Sequence, residues 1–344
     1  MPDLSKKYVA VIGAGSFGTA VANLLCENAD VILVSSNPQS AEQIQKDRKA
    51  AGQPLHSKIT VTHDLKWMAE NSSVIFPIIP SHDFYGCMID LKSYLQKDHI
   101  LIHGTKGLHL RSEISSSVRK EDILTMSQVI TEVTGITRVG CLAGPNLARE
   151  IAEGKPAATV VASNSQQVLD VGQQLLRSSK FQVLWNDDLH GVELCGVIKN
   201  IMAIASGGLT GLELGENAKA LLVNRAMVEM IHIGTHMGAG LKAFLGVAGI
   251  GDLMATCNSP KSRNFTVGYR LAKGESPNHI IGNLEETAEG VNTTRLIYHL
   301  SEHYDWKTPI TKLVYKVLFE EFPIQNAIGL LMKLPVREDI DFID

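Results

Sequence analysis

Short apolar runs alternate with amphipathic stretches along the first half of the chain. Tyr8–Ile12 is apolar and ends at Gly13. Val31–Val34, Ile59–Thr62, Val74–Ile79, His99–His103, Val139–Ala143, Ala158–Ala162 and Phe181–Leu184 follow in the same style. Runs of this length bounded by turn residues read as buried strands. Their alternation with helical segments predicts a mostly parallel sheet with helices on both faces. After Trp185 the strand pattern stops, and apolar positions at helical spacing dominate: Gly191–Gly208, Ala218–Met237, the region around Arg270, Thr293–His303 and Thr311–Phe319. Pro309 is placed to begin a helix.

The first strand runs into GAGSFG, with glycines at 13, 15 and 18, and then into a helical pattern through Ala20, Val21, Leu24 and Leu25. In a dinucleotide-binding turn the first glycine permits the tight bend. The second lets backbone approach a pyrophosphate, and the third lets helix pack on strand. The fold class expected is therefore α/β. A Rossmann-like, mostly parallel sheet domain over residues 1–187 is followed by an all-helical domain over residues 188–344. Ligands of such sheets bind beyond the carboxyl ends of the strands. Lys106, in GTKGL after the fifth run, and the Gly144–Asn146 turn both follow strand ends.

The second strand ends in Ser35, Ser36, Asn37 and Pro38. A site selective for NAD usually carries Asp or Glu there, against the ribose hydroxyls. Asp30 lies at the wrong end, so nothing repels a 2′-phosphate. Lys46 and Arg48 follow on the next helix. Both cofactors are allowed, and the balance leans to NADP.

In the second half, Gly191–Gly208 places Lys199 among Val197, Ile198, Ile201 and Met202. Desolvation lowers the pKa of a lysine, and one tuned that way can pass a proton to a reacting oxygen near neutral pH. Three further stretches carry chemistry. GVAGIGDLMATC reads as a glycine-rich turn delivering Asp252 and Thr256. Ser262, Arg263 and Asn264 read as a helix start suited to a phosphate. Glu289–Gly290 precede another helix. His232 and His236 are four apart, but no third ligand suggests itself, so no metal site is assigned.

With 344 residues the chain has room for two domains, and 44% hydrophobic with 20% charged residues is a globular composition. A net charge of −4 gives no electrostatic case for nucleic acid or an anionic membrane. Five scattered cysteines without a CxxC pair suit reduced thiols in the cytoplasm. Neither a secretory leader nor an apolar stretch long enough to span a bilayer is expected, and so no membrane insertion.

Taken together, GAGSFGTA, PSH at Pro80–His82, TKGL, AGPNLAREIAEG, GVIKN, GENAKALLVNRAMVEM, GIGDLMATC, KSRN and AEG resemble, in order and over nearly the whole chain, the soluble NAD(P)-dependent glycerol-3-phosphate dehydrogenases of bacterial type. The resemblance implies reversible reduction of dihydroxyacetone phosphate to sn-glycerol 3-phosphate, a phospholipid precursor. It makes Lys199 the catalytic proton donor and acceptor, with Asn200 and Asp252 polar groups around it. Lys106 would contact substrate and cofactor, and Gly144 and Asn146 would line the substrate site. Ser262, Arg263 and Asn264 would take the substrate phosphate. Gly13, Gly15, Ser16, Phe17, Gly18, Ser36, Ala148 and Glu289 would contact the cofactor, as would Arg263.

The chain departs from the family in three places. Ser36 stands where a basic residue or histidine often ends the second strand. Asn146 replaces the usual serine or threonine, and Ala50–Ser57 does not keep the usual loop. A homodimer through the helical half is the default expectation. A β-hydroxyacid dehydrogenase and an NAD(P)-sensing binding protein are the rival readings. The first would lack the SRN turn, and the second would have no need of Lys199, Asp252 and Arg263.

Overall fold

The computed structural model describes residues 8–111, 118–283, 288–331 and 333. The chain divides into two compact units. One is Met1–His109 with Thr125–Leu189, and the other is Leu110–Leu124 with His190–Asp344.

The first unit is built on an eight-stranded sheet. Its strands are β1 (Tyr8–Ile12), β2 (Asp30–Val34), β3 (Ile59–Thr62), β4 (Ser72–Pro77), β5 (Ile100–His103), β6 (Val139–Ala143), β7 (Ala157–Ala162) and β8 (Phe181–Asn186), in spatial order β8-β7-β6-β5-β4-β1-β2-β3. Neighbours are parallel except β6 and β7, which run antiparallel from Cys141 opposite Ala162 to Ala143 opposite Val160. β1, β2 and β4 are apolar almost throughout because helices cover both faces of the sheet centre. Edge strand β8 alternates instead, with Gln182, Leu184 and Trp185 exposed.

The apolar pattern placed β4 at Val74–Ile79, but it begins at Ser72 and ends at Pro77. Ser72 is fully buried and donates its hydroxyl to Met68 O at 2.8 Å. That local bond lets serine start a buried strand.

Helix α1 (Ser16–Leu25) packs Val21 and Leu25 into a core with Val9, Val11, Leu33, Val74 and Phe76. Helix α2 (Pro38–Asp47) starts on Asn37, whose side chain accepts from Ser40 N, and has Pro38 in its first turn. Residues Lys49–Ala50 and Gln53–Pro54 form a two-residue antiparallel ladder in the stretch that departs from the family loop.

From Leu189 onward every described element is helical. Helix α3 (Leu189–Gly211) is 23 residues long, and 94% of its most apolar window is buried. By length and composition it meets the requirement for a membrane span, which corrects the expectation that no such stretch exists. Burial explains its composition, since a helix covered on all sides is apolar all round.

Helices α4 (Gly215–His236), α5 (Asp252–Cys257), α6 (Arg263–Ala272), α7 (Glu289–Tyr304) and α8 (Pro309–Phe319) follow. A Cβ at Gly268 would stand 1.8 Å from Ile204 O, so α6 crosses α3 almost backbone to backbone. The stretch read as a glycine-rich turn is helical. Val247–Gly251 forms a π-helical turn that runs straight into α5. Such turns re-aim the side chains that follow them.

Candidate active site

In the first unit the turn after β1 is shaped by two glycines. Gly13 has φ +114°, and a Cβ at Gly18 would lie 2.0 Å from Gly13 O. Gly15 faces open space, with nothing within 4 Å of where its Cβ would be. The α1 N-terminus has no acid in its first turn and, unlike α2, no side-chain cap. Unused N–H groups and a positive helix end beside open space fit the pyrophosphate of a dinucleotide. Ser16 is exposed there, and its carbonyl accepts from Gln53 Nε2 at 2.8 Å. Gln53 had no sequence signal, because the contact spans 37 residues.

The Phe17 ring lies against Gly104, where a Cβ would come within 3.0 Å of it. Two bonds tie the loop carrying half-buried Lys106 to the segment at the end of β4. Gly104 N–H donates to Pro77 O at 2.9 Å, and Thr105 Oγ1 donates to Ile79 O at 2.7 Å. Gly144 follows β6 with φ +125°. Asn146 donates its side-chain nitrogen to Thr159 Oγ1 at 2.8 Å, while its Oδ1 is buried without a partner among the described residues. One of the two Nδ2 hydrogens is thus committed to β7, and the buried Oδ1 remains as an acceptor that a ligand N–H or O–H would satisfy. Ala148 opens the short helix Ala148–Ala152.

At the end of β2, Ser36 is exposed, while Ser35 is buried and donates to Ser40 Oγ at 2.8 Å. Arg48 ends α2 in the left-handed region, and its guanidinium donates to His56 O at 2.7 Å and Ile59 O at 2.9 Å. Lys46 lies in the last turn of α2, at the opposite end from Ser36. The strand end is therefore neutral, and the arginine near it in sequence braces the chain before β3.

In the second unit Lys199 on α3 is 4% exposed and Asp252 on α5 is 2% exposed. Lys199 Nζ donates to Asp252 Oδ1 at 2.7 Å and to Thr256 Oγ1 at 2.5 Å. Thr256 Oγ1 in turn donates to Asp252 O at 2.6 Å. Asp252 and Thr256 are four apart, so one face of α5 presents both to the ammonium. The apolar neighbours expected around Lys199 are all buried. The lysine is nevertheless not bare: a carboxylate and a hydroxyl offset the cost of burying its charge. Burial pushes the nearby Cys257 thiol up to about 12 even with Lys199 opposing the shift, so it stays neutral.

Asn200, 6% exposed, follows Lys199 on α3. Ser262 is the N-cap of α6, accepting from Phe265 N, and Arg263 is exposed at its first position. Asn264 is 8% exposed, and its Oδ1 accepts from Gly290 N at 3.0 Å. A Cβ at Gly290 would lie 2.6 Å from Asn264 Oδ1 and 2.8 Å from Asn200 O, so α3, α6 and α7 meet at this glycine. Two of the three phosphate-turn side chains therefore also hold structure: Ser262 by capping, Asn264 by fixing the start of α7. Half-buried Glu289 is the first residue of α7. The His232 and His236 rings lie 4.4 Å apart, tilted by 56°, and no metal-type cluster of three His, Cys, Asp or Glu occurs among the described residues.

Two family models match. The N-terminal model of NAD-dependent glycerol-3-phosphate dehydrogenase covers residues 8–169, and the C-terminal model covers residues 188–329. A glycerol-3-phosphate dehydrogenase [NAD(P)+] of Ectopseudomonas mendocina is 37% identical over 340 residues, 97% of each chain. One of Pseudomonas putida is 38% identical, over 97% of this chain and 96% of its own. The crystal structure of glycerol-3-phosphate dehydrogenase from Coxiella burnetii superposes with a TM-score of 0.85 at 31% identity, covering 95% of this chain and 99% of that one. The chain belongs to the NAD-dependent glycerol-3-phosphate dehydrogenase family, a family of oxidoreductases that use NAD or NADP.

Proposed function

We propose that the protein reversibly reduces dihydroxyacetone phosphate to sn-glycerol 3-phosphate, with Lys199 as the proton donor and acceptor. The observation that carries this reading is the buried Lys199–Asp252–Thr256 cluster on α3 and α5. The first unit binds the cofactor, through the Gly13–Gly18 turn with Ser16 and Phe17. The second unit binds the substrate. When bound, the nicotinamide supplies or accepts the hydride. Lys199 gives its proton to the carbonyl oxygen as alkoxide character develops, which favours the transition state over the ground state. Asp252 and Thr256 keep the ammonium charged and aimed. Arg263 and Asn264 at the start of α6 hold the phosphate, whose binding energy fixes the carbonyl carbon in place. Lys106, Ala148 and Glu289 are assigned their ligand contacts on the family resemblance.

The neutral end of β2 supports use of both cofactors, with kcat/KM for NADPH and NADH within about tenfold of each other. Five free thiols support a cytoplasmic setting, where the product serves phospholipid synthesis. Exposed Leu241, Leu245, Ile250 and Met254 in the helical half support a homodimer contact there.

The test follows NADPH and NADH oxidation by absorbance with dihydroxyacetone phosphate, and with unphosphorylated dihydroxyacetone as control. Turnover that needs the phosphate and falls about 10²- to 10⁴-fold in Lys199→Ala supports the reading. Folded protein that binds NADH but turns over neither ketone rejects it.

A further inference from the structure

The grip of α3 on α5 has a second point. Ser206 on α3 is fully buried, and its hydroxyl donates to Cys257 O at 2.7 Å. It lies seven residues after Lys199, two helical turns on, so both side chains leave α3 on the same side. Lys199 takes hold of α5 through Asp252 and Thr256, and Ser206 takes hold of it one residue further on, at the last carbonyl of the helix.

Helix α5 has only six residues and follows directly on a π-helical turn. So short a helix has little rigidity of its own, and its last carbonyls lack partners within it. Cys257 is itself fully buried, so water is a poor substitute for the Ser206 hydroxyl. The peptide that Ser206 anchors is the one joining Cys257 to Asn258, directly after the residue that follows Thr256. The hydroxyl that faces Lys199 is therefore set one residue away from a fixed point.

The geometry points to Ser206 as a positioning residue for the proton-transfer step. By anchoring the end of α5 it holds Thr256 and Asp252 in register with the Lys199 ammonium. This inference rests on the assignment of Lys199 as the proton donor. Without the anchor, α5 keeps its sequence and its lysine contact but loses the register that fixes the ammonium. Sub-ångström errors of this kind are costly at a reacting atom. The step itself is unchanged: one proton moves from Nζ to the carbonyl oxygen.

The experiment compares wild type, Ser206→Ala, Ser206→Thr, Thr210→Ala and Lys199→Ala. The readouts are kcat, KM for both substrates, the pH profile of kcat and NADH binding by fluorescence. Thr210 is the control. It lies one turn along α3, and its hydroxyl donates to Ser206 O at 3.1 Å, within α3 itself. Ser206→Ala is expected to lower kcat about 5- to 20-fold and to displace a limb of the kcat–pH profile. NADH affinity should stay within twofold, and Thr210→Ala should behave as wild type in every readout. Ser206→Thr keeps the hydroxyl and is expected to recover at least half of the lost kcat. A Ser206→Ala enzyme with wild-type kcat and pH profile overturns the inference, as does one whose loss is matched by Thr210→Ala. If Lys199→Ala itself keeps full activity, the fault lies in the assignment of the proton donor and not in the anchor.

Discussion

Lys199 Nζ stands 2.7 Å from Asp252 Oδ1, with both side chains at most 5% exposed. The pair joins a 23-residue helix to one of six residues, 53 positions apart in the chain. A buried ion pair of this kind contributes little net stability, but breaking it leaves a buried charge alone.

Asp252→Asn should therefore destabilise the protein by about 3–5 kcal/mol, read from urea unfolding. The double variant Lys199→Met with Asp252→Leu should regain most of that stability and none of the activity. Equal stability of Asp252→Asn and wild type would show that the ammonium has other adequate partners.

Gly290 is where Asn200 and Asn264 converge. Gly290→Ala has no room for its methyl and should cost about 1–3 kcal/mol. It should raise KM for dihydroxyacetone phosphate at least about tenfold by displacing Asn264, and change the Kd for NADH far less. Steady-state kinetics with a fluorescence titration separates the two effects.

The neutral end of β2 predicts a gain of function. Ser36→Arg should shift the NADPH to NADH ratio of kcat/KM about 10- to 100-fold toward NADPH, since a guanidinium there can pair with a 2′-phosphate. Arg48→Ala should leave that ratio unchanged and lower thermal stability, because Arg48 is bound to His56 O and Ile59 O. A ratio that responds to Arg48 would return it to the cofactor site.

Glu229 on α4 predicts a pH dependence of stability. It is 2% exposed, and its carboxylate accepts from Ile310 N at 2.7 Å and from Thr311 N and Oγ1 at 2.8 and 2.7 Å, capping α8. Burial pushes its pKa from 4.5 to about 7, against these donors and Lys312. The unfolded carboxyl loses its proton near 4.5 and the folded one near 7, so between those values the unfolded state binds fewer protons. Stability from this group is thus fully present at low pH and falls as pH rises, by about 3 kcal/mol across the window. Denaturant midpoints from pH 5 to 8 should fall for wild type relative to Glu229→Gln. A constant difference between the two would contradict the shift.

Much of this protein is determined locally. GAGSFG after an apolar run makes its turn largely from neighbouring residues, because the glycines meet one another: Gly18 packs against Gly13 O. Strand periodicity located β1, β3 and β6 to the residue, and the Ser262 cap and Pro309 marked helix starts in the sequence. The motifs GVIKN, GIGDL and SRN identify the family by their order alone.

What the sequence could not reveal is which groups hold one another across long separations. Lys199 among apolar neighbours reads as a desolvated amine, with Asp252 near it only by family resemblance, until α5 brings Asp252 and Thr256 into direct hydrogen bonds with it. Arg48 reads as a cofactor cation until its guanidinium is found on two backbone carbonyls. Asn146 and Asn264 read as ligand contacts until Thr159 and Gly290 take part of their hydrogen-bonding capacity. Ser206 and Gln53 carry no local signal at all. The physical reason is the same in each case. Periodicity and turn chemistry depend on residues a few positions apart, whereas a buried hydrogen bond is fixed by whichever distant group the packing of whole helices and strands brings within 3 Å.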